Sequence, residues 1–301
     1  MISDKKLYSA VALCAAIIAL LLIYVGCVNC SSCQSEEQPY TPPAQQQEST
    51  IATVRVTFPE GKNILQYGEL LEQNGVCTAQ EFYDAMNTTD FSADYDFLPS
   101  FEKLADRPYK LEVYLFPDTY DFYQPESAQS VIKRFLSNFA ARVPAELRQS
   151  AANTGEFYGQ NFSFDDVLIM ASIVEREINI PEEMPRVAAV FYNRMKYPGG
   201  TQNGAATGGF FQSDATKFYP YVFGTQPEGF VSEYNTFNVK GLPKGPICCP
   251  SYEAIRGALD PDHSTEAFFF YTDINKKVYY AVTFDEHQSN WRYCVDNGLA
   301  P

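Results

Sequence analysis

Histidine and tryptophan are nearly missing from this chain, with two and one among 301 residues. The two histidines, His263 and His287, stand far apart and form no H-E-x-x-H, which excludes a histidine-held zinc hydrolase. There is no G-x-x-x-x-G-K-[ST] phosphate loop and no G-x-S-x-G nucleophile turn. Basic residues are scarce too: 22 Lys and Arg against 37 Asp and Glu give a net charge of −15. A field of that sign repels nucleic acid and anionic lipid, so no nucleic-acid partner is expected. Two S-x-x-K matches, Ser100 to Lys103 and Ser130 to Lys133, lack the S-D-N and K-T-G companions of a penicillin-binding or β-lactamase site. No cofactor and no metal are expected.

What the chain does contain begins with LYSAVALCAAIIALLLIYVGCV, Leu7 to Val28, a run without a charged residue. As a helix it is long enough for a hydrocarbon core of roughly 30 Å. Lys5 and Lys6 precede it and the first charges after it are Glu36 and Glu37. The expectation is a single-pass anchor in the cytoplasmic membrane, with the N-terminus (1–6) inside and everything beyond 28 outside. A signal peptide fits less well, because the run exceeds an ordinary h-region and no A-x-A site follows. Of eight cysteines, Cys27, Cys30 and Cys33 sit at the outer edge of the run without a fourth metal ligand, and Cys77, Cys248, Cys249 and Cys294 show no disulfide framework.

Residues 29–50 are polar, rich in proline and glutamine, and read as a linker. Folded sequence opens with the β-branched alternation of IATVRVTFPEG, a strand stopped at Pro59 and Gly61. Helices are predicted over Lys62–Gln73 and Thr78–Met86, the second with a Thr78-x-x-Glu81 capping box. LEVYLFPDTYDF, Leu111 to Phe122, reads as a strand and turn, and a helix capped by Ser127 follows. The strand–helix–helix–strand order over 51–122 resembles a LysM-like module, a small glycan-binding fold. Further on, helices are predicted over Asp165–Ile178 and Glu182–Lys196, then a glycine-rich loop over 197–209, then short strands and turns to the end.

One helix carries a conflict. In MASIVEREIN, Met170 to Asn179, a step of about 100° per residue places Glu175 between Ala171 and Leu168 and Glu177 beside Met170 and Val174. Arg176 and Ser172 are left as the polar strip. Both carboxylates thus project toward apolar neighbours, where desolvation raises a carboxyl pKa. A glutamic acid still protonated near neutrality is what general acid catalysis needs. The competing explanation is a structural role, either a buried ion pair, with Arg194 or Arg186 as partner, or a capping carboxylate.

ASIVERE, VAAVFYNRM, FQSDATKFY, YNTFNVKGLPKGPI, AIRGAL and TFDEH, together with YLFPDTYDF upstream, resemble in this order the endolytic murein transglycosylase (YceG-like) family. The resemblance implies an α+β architecture: a transmembrane helix (7–28), a linker (29–50), a LysM-like βααβ module (51–122) and a mixed α/β catalytic domain (123–301). It implies a lytic transglycosylase that cuts peptidoglycan glycan strands internally and leaves 1,6-anhydro-muramyl ends, with penicillin-binding synthases and other cell-wall elongation proteins as partners. The catalytic residue it implies is Glu175. Glu177, Tyr114, Asn193, Gln212, Ser213, Asp214, Tyr234, Asn235 and Thr236 are the candidate substrate-binding residues, with Glu112 beside Tyr114. For each of these a turn-stabilising or core hydrogen bond competes, most strongly at Asn193 and Thr236. The sequence departs from the family in its long glycine-rich 199–210 segment, in Ala215 where proline is usual, and in the Cys248-Cys249 pair. The alternative function is a non-catalytic glycan-binding scaffold of the cell-wall machinery.

Overall fold

Alternation in ATVRVT is realised as strand β1, Ala52–Thr57, which turns Val56 to the core and Arg55 to solvent. It pairs antiparallel with β2, Thr119–Gln124, in a register that sets Val56 opposite Tyr120 and Arg55 opposite Asp121. The structure, a computed structural model, describes residues 52–301 apart from Asn203, Ala205 and Phe223. The anchor expected at 7–28 and the linker at 29–50 lie outside the described residues, among which no helix is long and apolar enough to cross a membrane.

Two helices stand between the strands. Helix α1, Ile64–Gln73, starts where Asn63 and Gln66 form a reciprocal capping box, and α2, Ala79–Thr88, where Thr78 and Glu81 do the same. Each box satisfies two N–H groups that a helix start leaves orphaned. The strand expected from Leu111 is corrected: Glu112–Tyr114 is a 3-10 turn and the strand begins only at Thr119. All six residues from Leu111 to Phe116 are buried, so they have no solvent face for a two-residue period to mark. Helix α3, Ala128–Arg142, is capped by Ser127 and drives Phe135 into the rings of Phe58 and Tyr120, at centroid separations of 4.9 and 4.5 Å.

Helices α4, Ala145–Arg148, and α5, Ser150–Tyr158, lead to α6, Phe164–Glu177. Every residue of α6 from Val167 to Val174 is buried, the mark of a helix enclosed on all sides. Ser172, expected on a polar strip, is fully buried instead. Its hydroxyl is satisfied by donating to the Ile169 carbonyl (2.7 Å) and accepting from the Ile247 N–H (3.1 Å). Helix α7, Met184–Lys196, and α8, Tyr252–Leu259, pack on α6 and on each other. Gly257 permits the closest approach: a Cβ there would lie 3.0 Å from the backbone of Met184 and Pro185. The chain closes with a β3–β4 hairpin, Phe269–Thr272 and Val278–Ala281, and with α9, Phe284–Asp296. That last helix corrects the expectation of strands and turns to the end; its capping box, Thr283 with Glu286, is the signal that was there to be read. One core of buried apolar side chains runs from Val56 to Leu259.

The first turn of α6 is tied to the earlier segments through charge. Arg107, 5% exposed at its side chain, forms a two-pronged ion pair with Asp165, whose Oδ1 also accepts the Tyr114 hydroxyl at 2.5 Å. Removing one partner of a buried pair strands the other charge, so Asp165→Ala is expected to destabilise the protein by about 3–5 kcal/mol. Asp121→Ala, which breaks the solvent-exposed Arg55–Asp121 pair, is expected to cost no more than about 1 kcal/mol. Urea unfolding of both variants measures the contrast.

Candidate active site

Glu175 lies in the last turn of α6, where the helix leaves the core, and is partly buried. Its Oε2 accepts two hydrogen bonds from Ser251, one from the backbone N–H (3.0 Å) and one from the hydroxyl (2.5 Å). Ser251 is the N-cap of α8, and its oxygen also accepts the Ala254 N–H at 3.1 Å. Glu175 Oε1 has no hydrogen bond among the described residues. Beside it passes the loop that ends β1: a Cβ on Gly61 would sit 3.5 Å from Oε1, and the φ of +69° there favours glycine. That loop is fixed by three bonds of 2.9 Å. Arg176 Nη1 and the Cys249 N–H donate to the carbonyls of Gly61 and Lys62, and the Gly61 N–H donates to the Cys249 carbonyl.

These surroundings pull the Glu175 carboxyl in two directions. Burial raises its pKa most, the two Ser251 donors hold it down, and the negative charges of Glu60 and Glu253 push it up again, leaving it above its ordinary value. Neither arginine suggested as an ion-pair partner reaches it. Arg194 is buried and spends its guanidinium on the carbonyls of Phe268 and Phe211, while Arg186 lies over the Tyr280 ring at 4.0 Å.

Glu177, one turn-end further, is likewise partly buried and accepts the Ser213 hydroxyl. Burial raises its pKa, against the lowering influence of Ser213, the Arg194 charge and the Ala215 N–H. Gln212 and Asp214 flank Ser213 with exposed side chains, Asp214 paired to Lys217 at 2.5 Å. Gln212 holds a φ of +53°, an uncommon conformation for a residue with a side chain, pinned by its N–H on the Thr236 carbonyl (3.1 Å). A narrow cleft of about 80 Å³ runs past Gly61, Asn63, Arg176, Asp214 and Ala215, between the two carboxylate neighbourhoods.

The other candidates are placed in the framework. Tyr114 bonds Asp165 in the first turn of α6, roughly 15 Å along the helix from Glu175 at 1.5 Å per residue. Thr236 is fully buried and bonds the Ser213 N–H and Thr216. Asn193 donates to the carbonyls of Thr265 (2.8 Å) and Ala267 (3.1 Å). Asn235 accepts the Phe237 N–H at 3.0 Å in a turn. Tyr234 packs on Tyr219, ring centroids 4.4 Å apart, and its buried hydroxyl has no partner among the described residues. Sequence reading missed Ser251 and Gly61; a serine ahead of the apolar period of YEAIRGAL was the available cap signal for the first. The Cys248-Cys249 departure fills the core under the site, the two thiols donating to the carbonyls of Ser172 (3.2 Å) and Glu112 (3.0 Å).

With this geometry in place, comparison with known proteins is informative. A model described as the YceG-like family matches residues 40–293. The chain belongs to the YceG-like family. Among family relatives, a Streptococcus pneumoniae (strain D39) protein named endolytic murein transglycosylase is 27% identical over 267 residues, 84% of this chain and 46% of its own. A Bacillus subtilis (strain 168) protein of the same name is 29% identical over 185 residues, 59% of this chain and 46% of its own. The chain thus spans about half the length of these relatives. The crystal structure of a yceG-like protein of Listeria monocytogenes superposes with a TM-score of 0.63 at 24% identity, covering 80% of this chain and 76% of that one, and shows a shared YceG-like fold.

Two experiments test the electrostatics. Ser251→Ala removes the hydroxyl donor from Oε2, so the Glu175 carboxyl is expected to titrate higher than in the wild type, read by carbon NMR. Glu112 is fully buried, accepts the Ile64 N–H (3.0 Å) and the Tyr219 hydroxyl, and is pushed by burial from 4.5 up to about 8. Between those values the folded state keeps a proton that the unfolded state has lost, so stability falls as pH rises through that window and then levels. Glu112→Gln keeps an acceptor for Ile64 and offers its amide to Tyr219. It is expected to flatten that decline in urea midpoints measured from pH 5 to 8.

Proposed function

We propose that this protein is a membrane-anchored endolytic lytic transglycosylase, cleaving MurNAc–GlcNAc bonds within nascent peptidoglycan strands. The observation that carries the reading is the asymmetry of Glu175: a half-buried carboxyl of raised pKa, one oxygen held by Ser251 and the other unbonded. The names of the S. pneumoniae and B. subtilis relatives supply the substrate class.

A single carboxyl suffices for this chemistry. Hydrolytic glycosidases use two carboxylates, one as acid and one as nucleophile or base toward water. Here the unbonded Oε1 delivers its proton to the glycosidic oxygen as the bond to the muramyl anomeric carbon breaks. The carboxylate then takes the proton of the muramyl C6 hydroxyl as that oxygen attacks the same carbon, closing the 1,6-anhydro ring without water. Because the nucleophile is part of the substrate, positioning supplies much of the rate. Ser251 holds Oε2 throughout, so the carboxyl does not rotate between its two tasks. Glu177 with Ser213, and the flanking Gln212 and Asp214, are the groups we assign to gripping the sugars next to the cleaved bond. Tyr114, Asn193, Tyr234, Asn235 and Thr236 hold the framework of that grip.

The uncharged run over 7–28 supports a single-pass anchor with the enzyme outside the cytoplasmic membrane. The β1–α1–α2–β2 order supports a LysM-like module that holds the strand, and penicillin-binding synthases are the expected partners. Purified glycan strands digested with the wild type are expected to yield anhydro-muramyl ends, and Glu175→Gln to yield none, a loss of at least about 10²-fold for a missing general acid. Wild-type protein that binds strands yet releases no anhydro ends would leave a glycan-binding scaffold as the function.

A further inference from the structure

At the end of α8 opposite Ser251 lies a second pocket, of about 350 Å³, that the cleavage chemistry does not use. Its size falls within the roughly 300–1,000 Å³ of small-ligand sites. One side is aromatic. Phe157 and Tyr197 are large rings left 43% and 37% exposed, and His263 lies against Phe157 with centroids 3.9 Å apart. The floor includes Asn193, only 6% exposed, whose Nδ2 is committed to the carbonyls of Thr265 and Ala267 while its Oδ1 accepts no hydrogen bond among the described residues. At the rim, the Gln202 amide and the Glu266 carboxylate are exposed and make no hydrogen bond among the described residues.

An exposed aromatic ring, an acceptor without a protein donor and two free polar ends are the elements by which proteins hold a pyranose, ring face on ring and hydroxyls on side chains. The charge pattern argues against a peptide. Lys196, the pocket's cation, already donates to the Phe157 carbonyl (2.6 Å) and sits over the Phe157 ring at 4.5 Å, while Glu266 repels carboxylates. We infer that this pocket is a secondary binding site for a neutral N-acetylhexosamine unit of a glycan strand, with the sugar ring on Tyr197 and a sugar N–H or O–H on Asn193 Oδ1. The inference rests on the reading of the protein as a glycan-strand enzyme. Eight residues of α8 separate the pocket's loop from Ser251, about 12 Å of helix, so a strand segment bound here is distinct from the bond at Glu175.

The test uses the whole chain and a tetramer of N-acetylglucosamine, which contains no muramyl unit to cleave. Chemical-shift titration is expected to move the Gln202 side-chain amide and the backbone amides of Thr201 and Glu266. Tyr197→Ala combined with Glu266→Gln, both at exposed positions, should weaken that response at least tenfold in Kd. Glu175→Gln should leave it unchanged, which separates this pocket from the cleavage reading. A wild type whose pocket resonances stay still at millimolar tetramer overturns the inference. So does a double variant that binds as the wild type does, or a murein stem peptide that moves these resonances where the sugar does not.

Discussion

Enclosure of α6 is the constraint from which the rest follows. Eight consecutive residues, Val167 to Val174, are out of solvent, and a carboxylate among them would need a buried partner or would lose its charge. The helix therefore carries its acids at its ends. Asp165 and Asp166 sit in the first turn, where the helix dipole favours negative charge, and Glu175 and Glu177 in the last, where it does not. An acid at a helix C-terminus is electrostatically misplaced unless another element compensates. At Glu175 that element is the start of α8, whose cap residue turns two donors toward one oxygen. At Glu177 it is Ser213 and the Ala215 N–H.

Much of this was legible in residues and some was not. The α6 and α7 helices, the capped starts at Thr78 and Ser127, and the desolvated setting of Glu175 all follow from local periodicity and caps, which a sequence displays directly. The partners were not legible. Ser251 lies 76 residues from Glu175 and Gly61 lies 114 residues away on the other side, and neither separation leaves a trace in local pattern. Ser172 was misplaced for a related reason: a helical wheel assigns serine to water, whereas here two backbone groups satisfy its hydroxyl inside the core. LEVYLF failed because complete burial erases the alternation by which a strand is recognised. The helix α9 was overlooked although its Thr283–Glu286 box matches the one that was used at Thr78.

Compensation at Glu175 is deliberately partial in its effect. In the proposed reaction the carboxyl first gives a proton and then takes one, which works best when neither state is strongly preferred. Full burial would fix it as the neutral acid, as at Glu112, where burial outweighs two hydrogen bonds. A tight ion pair would fix it as the anion. Ser251 donates to one oxygen only, and the two nearby carboxylates, Glu60 and Glu253, work against that stabilisation. The contrast between Glu112 and Glu175 supports the proposed assignment of the acid and base to Glu175.

The loop over Glu175 adds a link between holding and cutting. Gly61 belongs to the segment joining β1 to α1, and its backbone is bonded to Arg176 and Cys249, leaving room beside Glu175 that a Cβ would fill to 3.5 Å from Oε1. Three bonds tie this loop to α6 and to the segment before α8, against any pull on the β1–α1 segment. Arg176 is the element that resists, since its side chain grips the Gly61 carbonyl from the residue next to the acid itself. The position of Glu175 and that of the β1–α1 loop are therefore linked by one short chain of contacts.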